Sequence, residues 1–251
     1  MNVVEDHQIV LNIGCLAPMP VVDNVAYEFY ALAPKGVMLS VLPMGVGEFT
    51  TEEIEAILAP LDEFLEHFTI RRVDHIQHSG VPLLLTIGME RHAARLKYIE
   101  DKTGISASSS LTGVLDATRH LGIGNIALAN RFSDELNDRL SAFFVRAGVR
   151  VEGYHGYNGP RRTHADIKSV SGAVHMEDAY QRGRKAFEAF PQADGLYMGG
   201  GAASLTPVVV RLEQEFGKPV IGHQDAMVWD ILKRVNFWKP IAGCGRLLTA
   251  D

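Results

Sequence analysis

Cysteine is scarce in this chain, which has only Cys15 and Cys244 among its 251 residues. The two lie far apart and form no Cys-x-x-Cys pair, so the sequence argues against a disulfide framework and a zinc knuckle. The sequence also lacks a secretory leader and any apolar run near the roughly 20 residues needed to cross a bilayer. We therefore expect a protein of the reducing cytoplasm that has no membrane partner.

Basic charge is also in short supply. The chain has 24 lysine and arginine residues against 30 aspartate and glutamate residues, and its formal net charge is −6. The basic residues are scattered along the sequence, which argues against a nucleic-acid partner because such partners need a basic surface. With 47% hydrophobic and 22% charged residues, the composition is that of an ordinary globular enzyme.

Short apolar segments alternate along the chain with segments of helical spacing. In segment 51–68 the apolar residues recur three and four positions apart after a threonine, which predicts a capped amphipathic helix. A second long helix is predicted over 83–103, where Gly104 would end it. Strands are predicted between the helices, at 9–14, 36–42, 73–77, 105–107, 125–129, 149–153, 194–198 and 219–221. This alternation is typical of an α/β fold with helices on both faces of parallel sheets.

The series divides into two comparable halves. In each half a strand runs into a glycine turn and then a helix, once at 74–80 and once at 195–201. We predict two pseudo-symmetric lobes, each a parallel sheet flanked by helices, with the active site between the lobes. Residues 1–113 and 223–251 are assigned to lobe 1, and residues 114–222 to lobe 2. The irregular segment 155–171 is interpreted either as a lid or as a surface connection without a role.

The turn Gly199-Gly200-Gly201 is the most informative stretch of the sequence. Glycines let backbone N–H groups approach a ligand closely, and the helix that follows, with Pro207 in its first turn, adds the positive end of its dipole. Ligands of α/β proteins bind at the carboxyl ends of parallel strands. The sequence therefore predicts an anion site at this turn.

Three segments carry a family resemblance that extends over nearly the whole chain. They are 108–115, 125–137 and 212–221, the last ending in Gly-Lys-Pro-Val-Ile and followed by Ala-Met-Val-Trp. The segments resemble the Asp/Glu racemase superfamily, and within it most closely the arylmalonate decarboxylase and maleate cis-trans isomerase group. The resemblance implies two pseudo-symmetric lobes and a reaction at a carbon next to a carboxylate.

The chain departs from that superfamily in its cysteines. Racemases of the superfamily use one cysteine from each lobe as acid and base, and the resemblance places these positions at about Gly80 and at Gly200. Neither Cys15 nor Cys244 matches them. Racemisation by two thiols and covalent thiol addition are therefore not expected here. Cys15 lies in an apolar strand and is interpreted as a small core residue.

The resemblance also identifies candidate substrate-binding positions. The decarboxylase has hydroxyl side chains after its first turn and a tyrosine at a later strand end, where this chain has Val81, Pro82 and Phe132. These replacements imply a less polar pocket in which backbone donors remain. The expected substrate-binding residues are Gly80, Val81, Pro82, Phe132, Gly200, Gly201, Ala202, Ser204 and Asp225.

Histidines at two strand ends are the candidates for proton transfer in place of cysteine. His78 and Ser79 lie at the first turn and His223 at the last, and a histidine titrates near neutral pH. We expect His78, His223 and Ser79 to be catalytic. In the alternative interpretation, His223 is a helix cap partnered by Asp225 and His78 is a satisfied polar residue. Metal binding by both His75 and His78 is disfavoured because they face opposite sides of one strand.

The sequence thus favours a cofactor-independent lyase or isomerase that forms an enolate-type intermediate next to a carboxylate. The expected partner is a small carboxylic-acid substrate, with self-association into a homo-oligomer left open. Two alternatives stay open: a non-catalytic carboxylate-binding or regulatory protein of the same fold, and a metal-dependent hydrolase or lyase.

Overall fold

The computed structural model describes residues 8–20, 24–47, 50–156, 172–199 and 205–250. The chain divides into two compact units, one formed by Met1–Gly113 with Ile231–Phe237 and the other by Val114–Asp230 with Trp238–Asp251. These units differ from the predicted lobes at the carboxyl end, where 223–230 and 238–251 belong to the second unit. Asp225 and Arg246 account for part of this difference, because both form hydrogen bonds with helix 206–216 of that unit.

The first unit contains a parallel sheet of four strands in the order β2-β1-β3-β4. The strands are β1 (Leu11–Ala17), β2 (Val37–Pro43), β3 (His75–His78) and β4 (Ala107–Ser109). The helices up to the boundary are α1 (Asn24–Leu32), α2 (Thr51–Leu58), α3 (Leu61–Arg71), α4 (Val81–Ile87), α5 (Met89–Thr103) and α6 (Ser110–His120), the last of which extends into the second unit.

The second unit repeats this topology, with strand order β6-β5-β7-β8 and all strands parallel. Its strands are β5 (Asn125–Asn130), β6 (Arg150–His155), β7 (Gly195–Gly199) and β8 (Val220–Gly222). Its helices are α7 (Asp134–Arg146), α8 (Gly172–Ala189), α9 (Thr206–Phe216), α10 (His223–Arg234) and α11 (Arg246–Thr249), and α10 ends in the first unit. The predicted α/β class and the two comparable parallel sheets are confirmed.

Local sequence signals explain where several helices begin and end. The Thr50 side chain accepts a hydrogen bond from the Glu53 N–H and caps α2, and Ser133 caps α7 in the same way. The long helix predicted over 51–68 is two helices, because Pro60 has no N–H to continue the first one. The helix predicted over 83–103 is likewise divided at Gly88, whose φ of 83° lies outside the helical region.

Most strands are buried, as expected for parallel sheets covered by helices, whereas the edge strands β2 and β6 are partly exposed. All six residues of β5 are buried, and so are all five of β7. Leu196 and Met198 of β7 pack in one apolar cluster with Val209 and Leu212 of α9. A leucine-to-alanine substitution in such a core typically lowers the free energy of unfolding by about 2–5 kcal/mol. None of the helices in the described ranges combines the length and hydropathy needed to cross a bilayer.

Candidate active site

The turn between β3 and α4 brings two hydroxyl groups and a glycine together. The Ser79 N–H donates to the Leu16 carbonyl at 2.9 Å, which holds the turn at the carboxyl end of β1. The Ser110 Oγ, at the start of α6, accepts from the Gly80 N–H at 3.2 Å and lies 3.5 Å from the Ser79 Oγ. Since Ser110 accepts from Gly80, its own hydroxyl hydrogen remains available for another acceptor. Two serine hydroxyl groups therefore lie at this edge of the first sheet, and at least one of their hydrogens is available to a ligand.

Gly80 occupies a position where a side chain would be strained. Its φ is 101°, a value that L-residues rarely adopt. A Cβ placed on Gly80 would lie 2.6 Å from the Pro18 Cγ. A side chain at this position would therefore strain the turn. Beside it, Val81 is buried, and Pro82 lies in the first turn of α4, where a missing N–H costs no hydrogen bond.

His78, the last residue of β3, is completely buried. Burial, together with the nearby Arg95 guanidinium and His92, lowers the pKa of the His78 imidazole to about 3, against a weak opposing effect of the Ser79 backbone. Within the described part of the chain, neither ring nitrogen of His78 has a hydrogen-bond partner. The imidazole is therefore neutral at pH 7. This position does not match the predicted alternative of a satisfied polar residue.

His75 lies on the opposite face of β3 and has its own partners. Its Nδ1 is 2.8 Å from the Ser106 Oγ and its Nε2 is 2.9 Å from the Ser108 Oγ. Burial, with a smaller contribution from Arg234, lowers the pKa of His75 to about 4. His75 and His78 thus do not share a site, as predicted from strand geometry. Across the described ranges, no group of three or more histidine, cysteine, aspartate or glutamate side chains is arranged to hold a metal ion.

The carboxyl end of β7 and the start of α10 carry a second set of polar groups. The Tyr197 hydroxyl lies against the Gly199 backbone, only 2.5 Å from where a Cβ on that glycine would stand. The same hydroxyl is 3.5 Å from the Nδ1 of His223, the first residue of α10. Burial raises the pKa of Tyr197 and lowers that of His223 to about 4, so both side chains are neutral at pH 7.

Asp225, two residues farther along α10, is a buried carboxyl group. Its Oδ1 accepts a hydrogen bond of 2.5 Å from Thr206, while its Oδ2 has no partner among the described residues. Burial raises the pKa of Asp225 to about 7; the Thr206 hydroxyl opposes this shift and the nearby Glu213 adds to it. The predicted cap, in which Asp225 partners His223, is not seen; Asp225 instead binds the first residue of α9.

Phe132 follows β5 and is buried, with 7% of its surface exposed. Its N–H donates to the Asn130 Oδ1 at 2.9 Å, and its carbonyl accepts from the Asn137 Nδ2 at 3.2 Å. These two hydrogen bonds fix the Phe132 backbone at this strand end and thereby the position of its ring. It contributes apolar surface where the resemblance implies a hydroxyl.

The two cysteines lie elsewhere. Cys15 is fully buried in β1, and burial raises the pKa of its thiol to about 12. Cys244 is partly exposed in the segment before α11, where burial and the charge of Asp225 raise its pKa. Because the thiolate is the nucleophilic form, neither environment activates its cysteine.

Four predicted site residues, Gly200, Gly201, Ala202 and Ser204, lie outside the described residues. Three residues of the two sets escaped prediction: Ser110, Tyr197 and Thr206. Ser110 stands in a run of serines at the end of β4, and Tyr197 is the one hydroxyl-bearing residue of an otherwise apolar strand. These local features could have drawn attention to Ser110 and Tyr197. Their roles could not be predicted, because the partners of these side chains come from segments distant in sequence.

Comparison with known proteins gives a consistent result. The family model of arylmalonate decarboxylase matches residues 13–248. Arylmalonate decarboxylase from Bordetella bronchiseptica is 26% identical over 210 residues, which are 81% of this chain and 83% of that protein.

Solved structures share the fold. A crystal structure of arylmalonate decarboxylase has a TM-score of 0.80 and 23% identity, covering 96% of this chain and 100% of its own. A mutant of Nocardia farcinica maleate cis-trans isomerase, which holds a covalently bound succinylcysteine intermediate, has a TM-score of 0.81 and 20% identity, covering 96% of this chain and 99% of its own. Since the family model spans most of the sequence, the chain belongs to the arylmalonate decarboxylase family of the Asp/Glu racemase-like superfamily.

Proposed function

We propose that this protein is a cofactor-independent lyase that decarboxylates a small malonate-type acid through an enediolate, without a catalytic cysteine. The proposal starts from the family, whose relatives named above are a decarboxylase and an isomerase. The observation that carries it is the placement of the two cysteines: Cys15 is fully buried in β1, Cys244 lies in the segment before α11, and burial raises the pKa of both thiols. Decarboxylation needs only one proton delivered to one face of the carbon, whereas racemisation needs an acid–base group on each face.

The hydroxyl groups at the first turn fit the binding of a carboxylate. The Ser79 and Ser110 oxygens are 3.5 Å apart, so both hydroxyl groups can reach the same carboxylate. The site at Val81 is apolar and buried, so a bound carboxylate would be shielded from water. In such an environment fixed donors stabilise a developing oxyanion by several kcal/mol, about 2.7–4 kcal/mol for one donor in a measured case.

The proposed chemistry can be written with its electrons and proton in balance. The bond between the central carbon and one carboxylate breaks, carbon dioxide leaves, and the electron pair stays on the remaining carboxylate as an enediolate. The central carbon then takes one proton, which is replaced from solvent. The net reaction consumes one proton and yields the monocarboxylate and carbon dioxide.

His223 is the best placed of the predicted proton carriers. It is partly exposed, whereas His78 is fully enclosed. With a pKa of about 4, His223 reacts as a neutral imidazole, and a neutral imidazole can donate its N–H proton to a strongly basic carbon. We assign proton transfer to His223 and carboxylate binding to Ser79 and Ser110. To His78, which directly precedes Ser79, we assign a role in positioning the turn.

The test is a panel of malonates, maleate and related monocarboxylic acids followed by proton NMR in D₂O. Decarboxylation is expected to place one deuteron on the carbon that lost carbon dioxide. His223→Ala should reduce that signal strongly, while the control His67→Ala, at an exposed position, should leave it unchanged. Cleavage, isomerisation and exchange all absent across the panel would instead favour the carboxylate-binding alternative.

A further inference from the structure

Tyr197 presents its hydroxyl group at the carboxyl end of β7. Side chains two positions apart on a strand share a face, so the Tyr197 ring lies over Gly199, the last residue of β7. The absence of a Cβ on Gly199 makes this placement possible, because that atom would lie 2.5 Å from the hydroxyl oxygen. The ring also packs near Phe144, at 6.2 Å between centroids.

The Tyr197 hydroxyl is buried and has one weak hydrogen-bond contact among the described residues. Tyr197 has no exposed surface, and its one hydrogen-bond contact among the described residues is the His223 Nδ1 at 3.5 Å. That distance is long for an O–H donor, whose usual range ends near 3.0 Å. A buried tyrosine hydroxyl normally has a partner, so His223 is the group that this hydroxyl is placed to serve.

The direction of this contact follows from satisfaction of both groups. If the His223 Nδ1 carried the hydrogen and donated it to the phenol, the Tyr197 hydrogen would have no acceptor among the described residues. If Tyr197 donates to Nδ1, both groups are satisfied, and the imidazole hydrogen must then lie on Nε2. As a residue His223 is partly exposed, which leaves its Nε2–H group the one able to meet a ligand.

We propose that Tyr197 is a positioning residue that fixes His223 as the Nε2–H tautomer and directs that N–H toward the substrate carbon. This inference rests on the proposed function of His223 but adds a residue and a tautomer to it. Catalytic hydrogen bonds are often long in the free enzyme and tighten when substrate binds. We therefore expect the 3.5 Å contact between Tyr197 and His223 to shorten in the substrate complex.

The direct test is nitrogen NMR of protein labelled with ¹⁵N-histidine at pH 7. The His223 resonances are assigned by their loss in His223→Gln. We expect the wild type to show a protonated Nε2 and an unprotonated Nδ1, and Tyr197→Phe to show a mixture of tautomers. Tyr98→Phe, which removes an exposed hydroxyl bonded to Asp62 in the first unit, should leave the spectrum unchanged. A protonated Nδ1 in the wild type, or an unchanged spectrum in Tyr197→Phe, would overturn the proposal.

Kinetics provide the second readout on any substrate that the panel identifies. Tyr197→Phe keeps the ring and is expected to lower kcat about 10- to 100-fold with little change in KM. This is less than the roughly 10²- to 10⁴-fold contribution of a general acid, because His223 itself remains. Equal kcat values would contradict the positioning role. If no substrate turns over, the proposed function fails, while the NMR result still decides the tautomer.

Discussion

Acidification tests the electrostatic description of His78 without any knowledge of the substrate. The imidazole has a pKa of about 3 in the folded protein and about 6.5 in the unfolded chain. Between these values the unfolded chain binds a proton that the folded protein does not. The contribution to stability is therefore complete above pH 6.5 and is lost as the pH falls toward 3.

The magnitude follows from the width of that window. One proton difference changes the free energy of unfolding by about 1.4 kcal/mol per pH unit, so His78 alone removes about 2 kcal/mol between pH 7 and pH 5. Asp225 acts with the opposite sign, because its raised pKa of about 7 means that the folded protein binds the extra proton. Comparing a His78 variant with the wild type cancels the Asp225 contribution.

The assay is urea unfolding of wild type and His78→Gln at pH 7 and pH 5. The variant has no titrating group at this position, so its loss of stability on acidification should be smaller than that of the wild type by about 2 kcal/mol. His67→Gln, at an exposed position, should keep the wild-type pH dependence. Equal losses in wild type and His78→Gln would refute the buried, neutral imidazole, as would an NMR titration of His78 with a midpoint near 6.5.

Two further predictions concern the turns. Gly80→Ala forces a Cβ toward Pro18 at a φ of 101° and should destabilise the protein by about 1–3 kcal/mol, which differential scanning calorimetry would report as a lower Tm. An unchanged Tm would contradict the strain inferred at this turn. Asp225→Asn removes a carboxyl whose folded pKa of about 7 makes its charge costly above that pH. The variant should therefore gain stability relative to wild type as the pH rises from 5 to 8, and a constant difference in urea unfolding would argue against the raised pKa.

The fold could be predicted from the sequence because the patterns that mark its helices and strands are local. Apolar runs, the Thr50 and Ser133 caps and the glycine stops specify where elements lie. Two helix breaks were missed for different reasons: Pro60 interrupts a continuous apolar stripe, and Gly88 needs its positive φ to be recognised as a break. Residues 223–230 and 238–251 belong to the second unit, which the sequence did not indicate, because tertiary hydrogen bonds such as that of the Arg246 N–H to Glu213 leave no local pattern.

The candidate site could be predicted from the sequence only in part. Ser79 and His223 could be selected because they follow strands, and strand ends meet at one edge of a parallel sheet. The partners Ser110 and Tyr197 depend on register between segments far apart in sequence, so no spacing rule identifies them. Sequence patterns also carry no information on desolvation, which moves the pKa of His78 away from the neutral range that first suggested proton transfer.

The central claim is that this family member works without a thiol. The most direct measurement is the decarboxylation rate of Cys15→Ala/Cys244→Ala on the substrate identified by the malonate panel, with the same rate measured for wild type after treatment with iodoacetamide. Because Cys15 is buried with a pKa of about 12 and Cys244 lies in an environment that raises its pKa, we expect the double variant and the treated enzyme to retain wild-type kcat within about twofold. A folded double variant with a kcat reduced 100-fold or more would contradict the account.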